Sequence, residues 1–260
     1  MRELIGSFLS NDSPFGRAMT KVGIIIAANL MFILFSIPVV TVGAAYVAMY
    51  HVMLKTLRGD GVINPFKQFW IGFKTNFKQA TIAWVIFAAL MAFGYYDVSL
   101  CRQATGLIYQ LQYLIYVLGL LVVTAFIYLL PTMAAFENTL PNLVRNGMYF
   151  ALHKPWFLIV ILFFHLFPLY LTYSDRQMLP LYAFIWFFFG FGAIAMLTSR
   201  LLLKDFCRYL PLVDDYGDFI LDENGDKIMP GSAAEAALDA AGEHEMTEDE
   251  ILEEMKKLDM

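Results

Sequence analysis

The chain has 260 residues, of which 59% are hydrophobic and 16% charged, with a mean hydropathy of +0.60. Soluble domains sit nearer roughly 45–50% apolar and about 25% charged, so a water-soluble globular enzyme or binding module is excluded. Residues 1–210 hold 15 Lys/Arg and 7 Asp/Glu, whereas 211–260 hold 3 and 16, so a basic apolar part meets an acidic aqueous one near Pro211 and nucleic acid is excluded as a partner.

The first residues are mixed in charge (Arg2, Glu3, Asp12), and no Ala-x-Ala site follows a short apolar core. The first apolar block is therefore expected to stay as an anchor rather than to be cleaved as a signal peptide. That block, 22–54, is broken by Asn29, Pro38 and His51. As one helix it would be about 50 Å long, against a hydrocarbon core of about 30 Å. Pro38 removes a backbone donor and disfavours helix at the residue before it. Basic residues flank both ends: Arg17 and Lys21 before, Lys55 and Arg58 after. The preferred reading is a hairpin, with arms 21–37 and 44–57 around a turn at 38–43, each arm short enough to penetrate without fully crossing. The alternative is one kinked span with the N-terminus outside.

Segment 63–79 reads as an amphipathic interfacial helix. Phe66, Phe69, Trp70, Phe73 and Phe77 fall on one helical stripe, with Lys67, Lys74 and Lys78 beside it. Its plain role is an anchor in the headgroup plane; its functional one is a docking surface for a partner. Four further apolar blocks follow at 80–96, 108–130, 156–173 and 179–203. Water cannot satisfy a backbone in hydrocarbon, so each must be a helix. Segment 137–155 resembles 63–79 in position, a second surface helix feeding a span, which hints at a faint internal duplication.

Basic residues collect on the cytoplasmic side of short loops. Segment 55–79 (Lys55, Arg58, Lys67, Lys74, Lys78), segment 137–155 (Arg145, His153, Lys154) and the last span's end (Arg200, Lys204, Arg208) are expected inside. Segments 97–106 and 174–178 are expected outside. Cys101 and Cys207 then fall on opposite faces, which argues against a disulfide, and their spacing is not of metal type.

Polar groups at membrane depth are functional candidates. Here they are Asn29, His51, His165 and, at the end of its span, Glu137. The bland readings weigh more: Asn29 as packing glue, His51 as an interfacial residue, His165 in a helix–helix hydrogen bond. No Asp, Glu, Lys or Arg sits mid-span.

The acidic tail, 211–260, reads as a hairpin at 218–229 around Asn224-Gly225, a flexible Ala/Glu-rich stretch at 231–246, and a short helix at 248–258 opened by the capping box Thr247-x-x-Glu250. Asp222-x-Asn224-Gly225-Asp226 is spaced wrongly for a calcium loop. No GxSxG, Walker A, HExxH or CxxC motif is present. No catalytic, cofactor-binding or metal-binding residue is therefore assigned, and a non-enzymatic protein is expected.

Three stretches carry a resemblance. The first runs from Asn29-Leu30 through Pro38-Val39-Val40-Thr41-Val42-Gly43-Ala44-Ala45 to Ala48-Met49-Tyr50. The second is Phe66-Lys67-Gln68-Phe69-Trp70 with Phe73-Lys74-x-Asn76-Phe77-Lys78. The third is Pro131 to Ala135-Phe136-Glu137-Asn138-Thr139, followed by 143–151. Together, over about 15–205, they resemble the YesL-like bacterial membrane proteins, a family of unknown function. The resemblance implies several membrane helices and, through genes that neighbour carbohydrate ABC transporters, an accessory role in sugar import.

The expectation is thus an all-α polytopic membrane bundle of 5–6 hydrophobic segments (domain 1–210) with interfacial helices and an acidic cytoplasmic tail (211–260). It needs no cofactor and sits in the cell membrane. Its partners are the lipid bilayer and permease or ATPase subunits of an importer; the alternative is a small stand-alone transporter or channel.

Overall fold

A computed structural model describes residues 14–59, 62–214, 216–222 and 225–232. The stretch from 233 onward, with most of the expected flexible segment and the 248–258 helix, lies outside the described residues. So does Asn224 of the expected hairpin. The architecture is all-α. Eight α-helices follow in order among the described residues: α1 Pro14–Phe35, α2 Val42–Arg58, α3 Pro65–Gln103, α4 Leu107–Ala135, α5 Leu140–His153, α6 Pro155–Ser174, α7 Leu179–Ile185 and α8 Phe191–Phe206. Val39–Thr41 forms a 3-10 turn between α1 and α2, and Trp186–Gly190 a π-helical turn between α7 and α8. Among the described residues six helical stretches, the last running from α7 through α8, are long and apolar enough to cross a membrane. The protein is a multi-pass membrane protein.

The first apolar block is a hairpin, as the flanking charges and Pro38 predict. α1 stops at Phe35 and α2 restarts at Val42. Several of the tip's backbone groups are paired within the protein. The Ser36 amide donates to the Phe32 and Ile33 carbonyls and the Thr41 amide to the Pro38 carbonyl. The Thr41 hydroxyl lies 2.6 Å from the Phe35 carbonyl and 2.7 Å from that of Pro38. The Trp84 indole donates to the Val39 carbonyl at 2.8 Å.

One expectation fails. Segment 63–79 is not a separate surface helix: α3 runs unbroken from Pro65 to Gln103, 39 residues, or about 58 Å. Its start is well specified. The Asn64 side chain accepts from the amides of Phe66 and Lys67, and Pro65 occupies the first turn, where no donor is needed. Nothing after that start breaks a helix before Ala104, so the change of environment leaves the backbone helical. The second surface segment differs: α5 is its own helix, separated by Lys154 from α6, which opens on Pro155. The suggested duplication therefore does not extend to the helix pattern.

α2 is the central element, with Ala44, Ala45, Val47, Ala48, Met49, Tyr50, Val52 and Met53 fully buried. α1, α3, α4 and α8 surround it. Small residues let the backbones approach. A Cβ on Gly43 would lie 2.6 Å from the Ala80 carbonyl oxygen, and one on Gly72 would lie 2.8 Å from the His51 Cβ.

The segment after α8 folds back. In sequence, 212–219 (Leu-Val-Asp-Asp-Tyr-Gly-Asp-Phe) and 220–227 (Ile-Leu-Asp-Glu-Asn-Gly-Asp-Lys) are two copies of one octad. Each forms the same turn. The amide of Asp218 bonds the Asp214 carboxylate, and the amide of Asp226 bonds that of Asp222. Gly217 and Gly225 both take positive φ, 72° and 84°, which glycine alone adopts without cost. Three backbone segments close a ring: Leu212 N–H donates to Ile228, Ile228 to Ile220, and Ile220 to Leu212. The expected hairpin at 218–229 is thus the second half of a tandem unit, paired through isolated bridges Val213–Phe219 and Leu221–Lys227.

Candidate functional site

A polar cavity lies at the end of the bundle that carries the basic residues. It encloses about 300 Å³. The C-terminal half of α2 supplies His51, Lys55 and Arg58; α3 supplies Gln68, Thr75 and Asn76; the end of α4 supplies Met133 to Ala135, and Glu137 follows it. The octad unit closes one side with Gly217, Asp218 and Phe219. Lys55 and Arg58 share a face because they are three residues apart on a helix. Lys55 Nζ pairs with the Asp218 carboxylate at 2.5 Å. Arg58 donates to the Pro211 carbonyl, and its guanidinium stands 5.8 Å from the Phe219 ring centre. Lys227 caps the other side of the neighbourhood, 4.2 Å from that ring's centre.

His51 and Glu137 meet in this cavity, so two of the four polar candidates belong to one site. Glu137 is in neither of the ion pairs found among the described residues, Lys55–Asp218 and Lys154–Asp205. The other two candidates lie elsewhere. Asn29 is buried between α1 and the π-turn. Its amide nitrogen donates to the carbonyls of Trp186 (3.0 Å) and Phe187 (2.7 Å), and its oxygen accepts from the Gly192 amide at 2.9 Å. His165 on α6 faces Tyr50 of α2, with Nε2 3.3 Å from the Tyr50 hydroxyl and Nδ1 2.8 Å from the Ile161 carbonyl. A carbonyl only accepts, so Nδ1 carries the proton, and Tyr50 must donate to Nε2. That is the helix–helix hydrogen bond the sequence favours for this residue.

The aromatic stripe of α3 divides in two. Phe69 and Phe73 are buried, packed on Phe35, and so are core rather than contact surface. Phe66, Trp70 and Phe77 are exposed, with Lys67, Lys74 and Lys78 exposed beside them. A second cavity, apolar and about 450 Å³, lies at the hairpin tip between Phe32, Ile33, Tyr46, Trp84, Phe126 and Phe191.

Sequence reasoning used Lys55 and Arg58 only as topological markers and missed Gln68 and Asp218. The octad repeat was the available signal, since it places Asp218 at a fixed turn position.

These features define a polytopic helical membrane protein with a polar cavity at its basic end. Residues 25–98 match the family described as "Protein of unknown function, DUF624". The YesL-like proteins are a family of that description, so the resemblance read from the sequence holds over this stretch. The "Uncharacterized protein YteU" of Bacillus subtilis (strain 168) is 26% identical over 108 residues, 42% of this chain and 49% of that protein. The match thus spans about half the length of that curated relative. No solved structure matches the chain.

Proposed function

We propose that this is a non-enzymatic protein of the cell membrane that serves as an accessory subunit beside a carbohydrate ABC importer, with its basic end and acidic C-terminal segment in the cytoplasm. The observation that carries this reading is the exposed strip on α3. Phe66, Trp70 and Phe77 with Lys67, Lys74 and Lys78 form an aromatic, cationic surface at the basic end. Buried aromatic anchors are what protein interfaces use, and the positive residues suit the inner face of a membrane. The importer as partner comes from the YesL-like resemblance. Affinity purification of the full chain in mild detergent should recover permease or ATPase subunits, and recovery should fall with Trp70→Ala and Phe66→Ala. Repeated isolation of the chain alone overturns the reading.

A small stand-alone transporter or channel is the second reading, favoured by the polar cavity around His51. It requires substrate flux in liposomes that depends on Asn29, His51 or His165. Asn29 and His165 have their hydrogen-bonding groups committed within the protein, which weighs against a transport pathway through them. Liposomes that pass neither sugars nor ions remove the transporter reading.

A further inference from the structure

The two cations of the polar cavity are held by the protein's own C-terminal segment, and held incompletely. The Lys55 side chain is 12% exposed, whereas Asp218, its partner, is 68% exposed. The cation has been drawn out of water; the anion has not. Water re-solvates the exposed carboxylate at once when the turn leaves, but the desolvated ammonium then needs another anion. Arg58 is served less well. One terminal nitrogen donates to a neutral carbonyl, that of Pro211, and the guanidinium's other polar neighbour is the Cys207 thiol, a weak acceptor. Its Nε is buried with no hydrogen-bond partner. Among the described residues no carboxylate pairs with it. A guanidinium presents donors in a fixed fork that matches a phosphate or carboxylate, and here the fork is only half used.

We propose that this cavity binds a phosphate group, and that the first octad turn occupies it in the ligand's absence, Asp218 standing in for a phosphate oxygen at Lys55. Once the turn lifts, Lys55 and Arg58 face the cavity with Glu137 as the single remaining carboxylate among the described lining residues, which together carry net positive charge. Thr75 and the Asn76 amide oxygen line the rest of the cavity beside His51, which is hydrogen-bonded to Gln68 and the Ala134 backbone, while the Asn76 nitrogen is held by the Gly72 carbonyl. The space, about 300 Å³, is that of about ten waters, enough for a phosphate and a small group attached to it. The turn is shaped for its seat. A Cβ on Gly217 would lie 2.9 Å from Lys55 Cγ and 3.0 Å from the Lys55 carbonyl oxygen, so only glycine lets the turn reach the cation. The second copy of the turn has open space around its Gly225. Docking is therefore specific to the first copy and is not a property of the octad. Leu210 and Ile228 stay buried beneath the unit, so the turn can leave while the unit remains tethered.

The phosphate could belong to a lipid headgroup or to a soluble phosphorylated compound, and the same site chemistry serves both. The probe is inorganic phosphate, titrated calorimetrically into the full chain in nanodiscs of phosphatidylcholine alone and of phosphatidylcholine with phosphatidylglycerol. In phosphatidylcholine, Asp218→Asn should bind phosphate about tenfold more tightly than the parent, because one charged competitor is gone. Adding Lys55→Gln to Asp218→Asn should abolish binding, and Lys55→Arg in the same background should restore it, which separates loss of charge from loss of fold. Equal binding in both discs assigns the site to a soluble phosphate; loss of binding in phosphatidylglycerol that is not reproduced when a fatty acid supplies the same negative charge assigns it to an anionic headgroup phosphate. Equal affinity of Asp218→Asn and the parent, or binding indifferent to Lys55→Gln, overturns the proposal.

Discussion

Asn29 brings both halves of an amide to a place where the backbone has lost its regular partners. A π-turn shifts the hydrogen-bond register by one residue, so carbonyls that would point along an α-helix are left to find other donors. Trp186 and Phe187 find theirs in Asn29, and the amide of Gly192 finds its acceptor there too. Glycine is needed at this crossing: a Cβ on Gly192 would lie 2.9 Å from the Ile25 carbonyl oxygen. Side-chain hydrogen bonds inside membranes average about 0.6 kcal/mol each, so three of them give about 2 kcal/mol. Asn29→Leu should therefore destabilise the protein by about 2 kcal/mol in a detergent or denaturant unfolding series. Asn29→Asp should be no better, since a carboxylate cannot donate to two carbonyls. A stability change under about 0.5 kcal/mol for Asn29→Leu would show the clamp to be idle. The sequence singles out Asn29 because it is a lone amide in an apolar block. It does not reveal the partners, since a π-turn in Trp186–Gly190 leaves no pattern beyond bulky aromatics followed by glycine.

Lys154 poses the same problem with charge. It joins the α5–α6 break to Asp205 of α8 at 2.6 Å, and Asp205 is buried while Lys154 is partly exposed. Removing the cation strands a buried carboxylate, so Lys154→Met should cost about 3 kcal/mol. Lys154→Met with Asp205→Asn should recover much of that loss, because the pair's own net contribution is small. Thermal unfolding of the three variants makes the cycle; equal losses in the single and double variants refute it.

Among the elements, α3 shows where pattern reading stops. The aromatic stripe of Phe66 to Phe77 is real, and so is the apolar run that follows, but a change of flanking chemistry is not a helix boundary. Boundaries need a cap, a proline or a positive-φ glycine. α3 has a cap at Asn64 and none thereafter until the turn at Gly106, whose φ is 67°. The hairpin α1–α2 was legible for the opposite reason, since Pro38 and the charges on both flanks are local signals. The α2–α3 contact was not legible, because Gly43 and Gly72 look alike with Gly23 until the neighbours are known. Gly43→Val should destabilise by about 3 kcal/mol, since a side chain there meets the Ala80 backbone and must push the helices apart. Gly23 has nothing within 4 Å of an added Cβ. Gly23→Ala should be neutral or should stabilise by up to about 1 kcal/mol through helix propensity. Thermal stability of both variants in the same detergent decides it, and similar losses at both sites would remove the close-packing account.

At the scale of the whole molecule, α3 works as a ruler. Its exposed lysines end at Lys78 and its next basic residue is Arg102, about 36 Å along the helix, close to a hydrocarbon core with its borders. Exposed Tyr95, Tyr96, Tyr109 and Tyr113 surround the far end of α3 and the start of α4, where an aromatic belt belongs. The α1–α2 tip contacts α3 at Trp84 through the Val39 carbonyl, about 9 Å from Lys78 and about 27 Å from Arg102. The tip is thus much nearer the basic face. Its surface agrees: Ile37, Val39 and Val40 are 72%, 69% and 56% exposed. A water-facing turn would use Gly, Asn or Asp there. Thr41 and Trp84 bond the carbonyls of Phe35, Pro38 and Val39, which suits a tip in hydrocarbon, and the expected outcome is that α1–α2 enters and returns on one side. The test is thiol labelling of intact cells, with Cys101 and Cys207 first replaced by alanine. Arg176→Cys should react with a membrane-impermeant maleimide from outside, and Lys67→Cys only after permeabilisation. Val40→Cys should stay unreactive in both conditions, because a thiol in hydrocarbon neither ionises nor meets the reagent. Labelling of Val40→Cys in intact cells as fast as Arg176→Cys would place the tip in external water and make α1 and α2 two complete crossings.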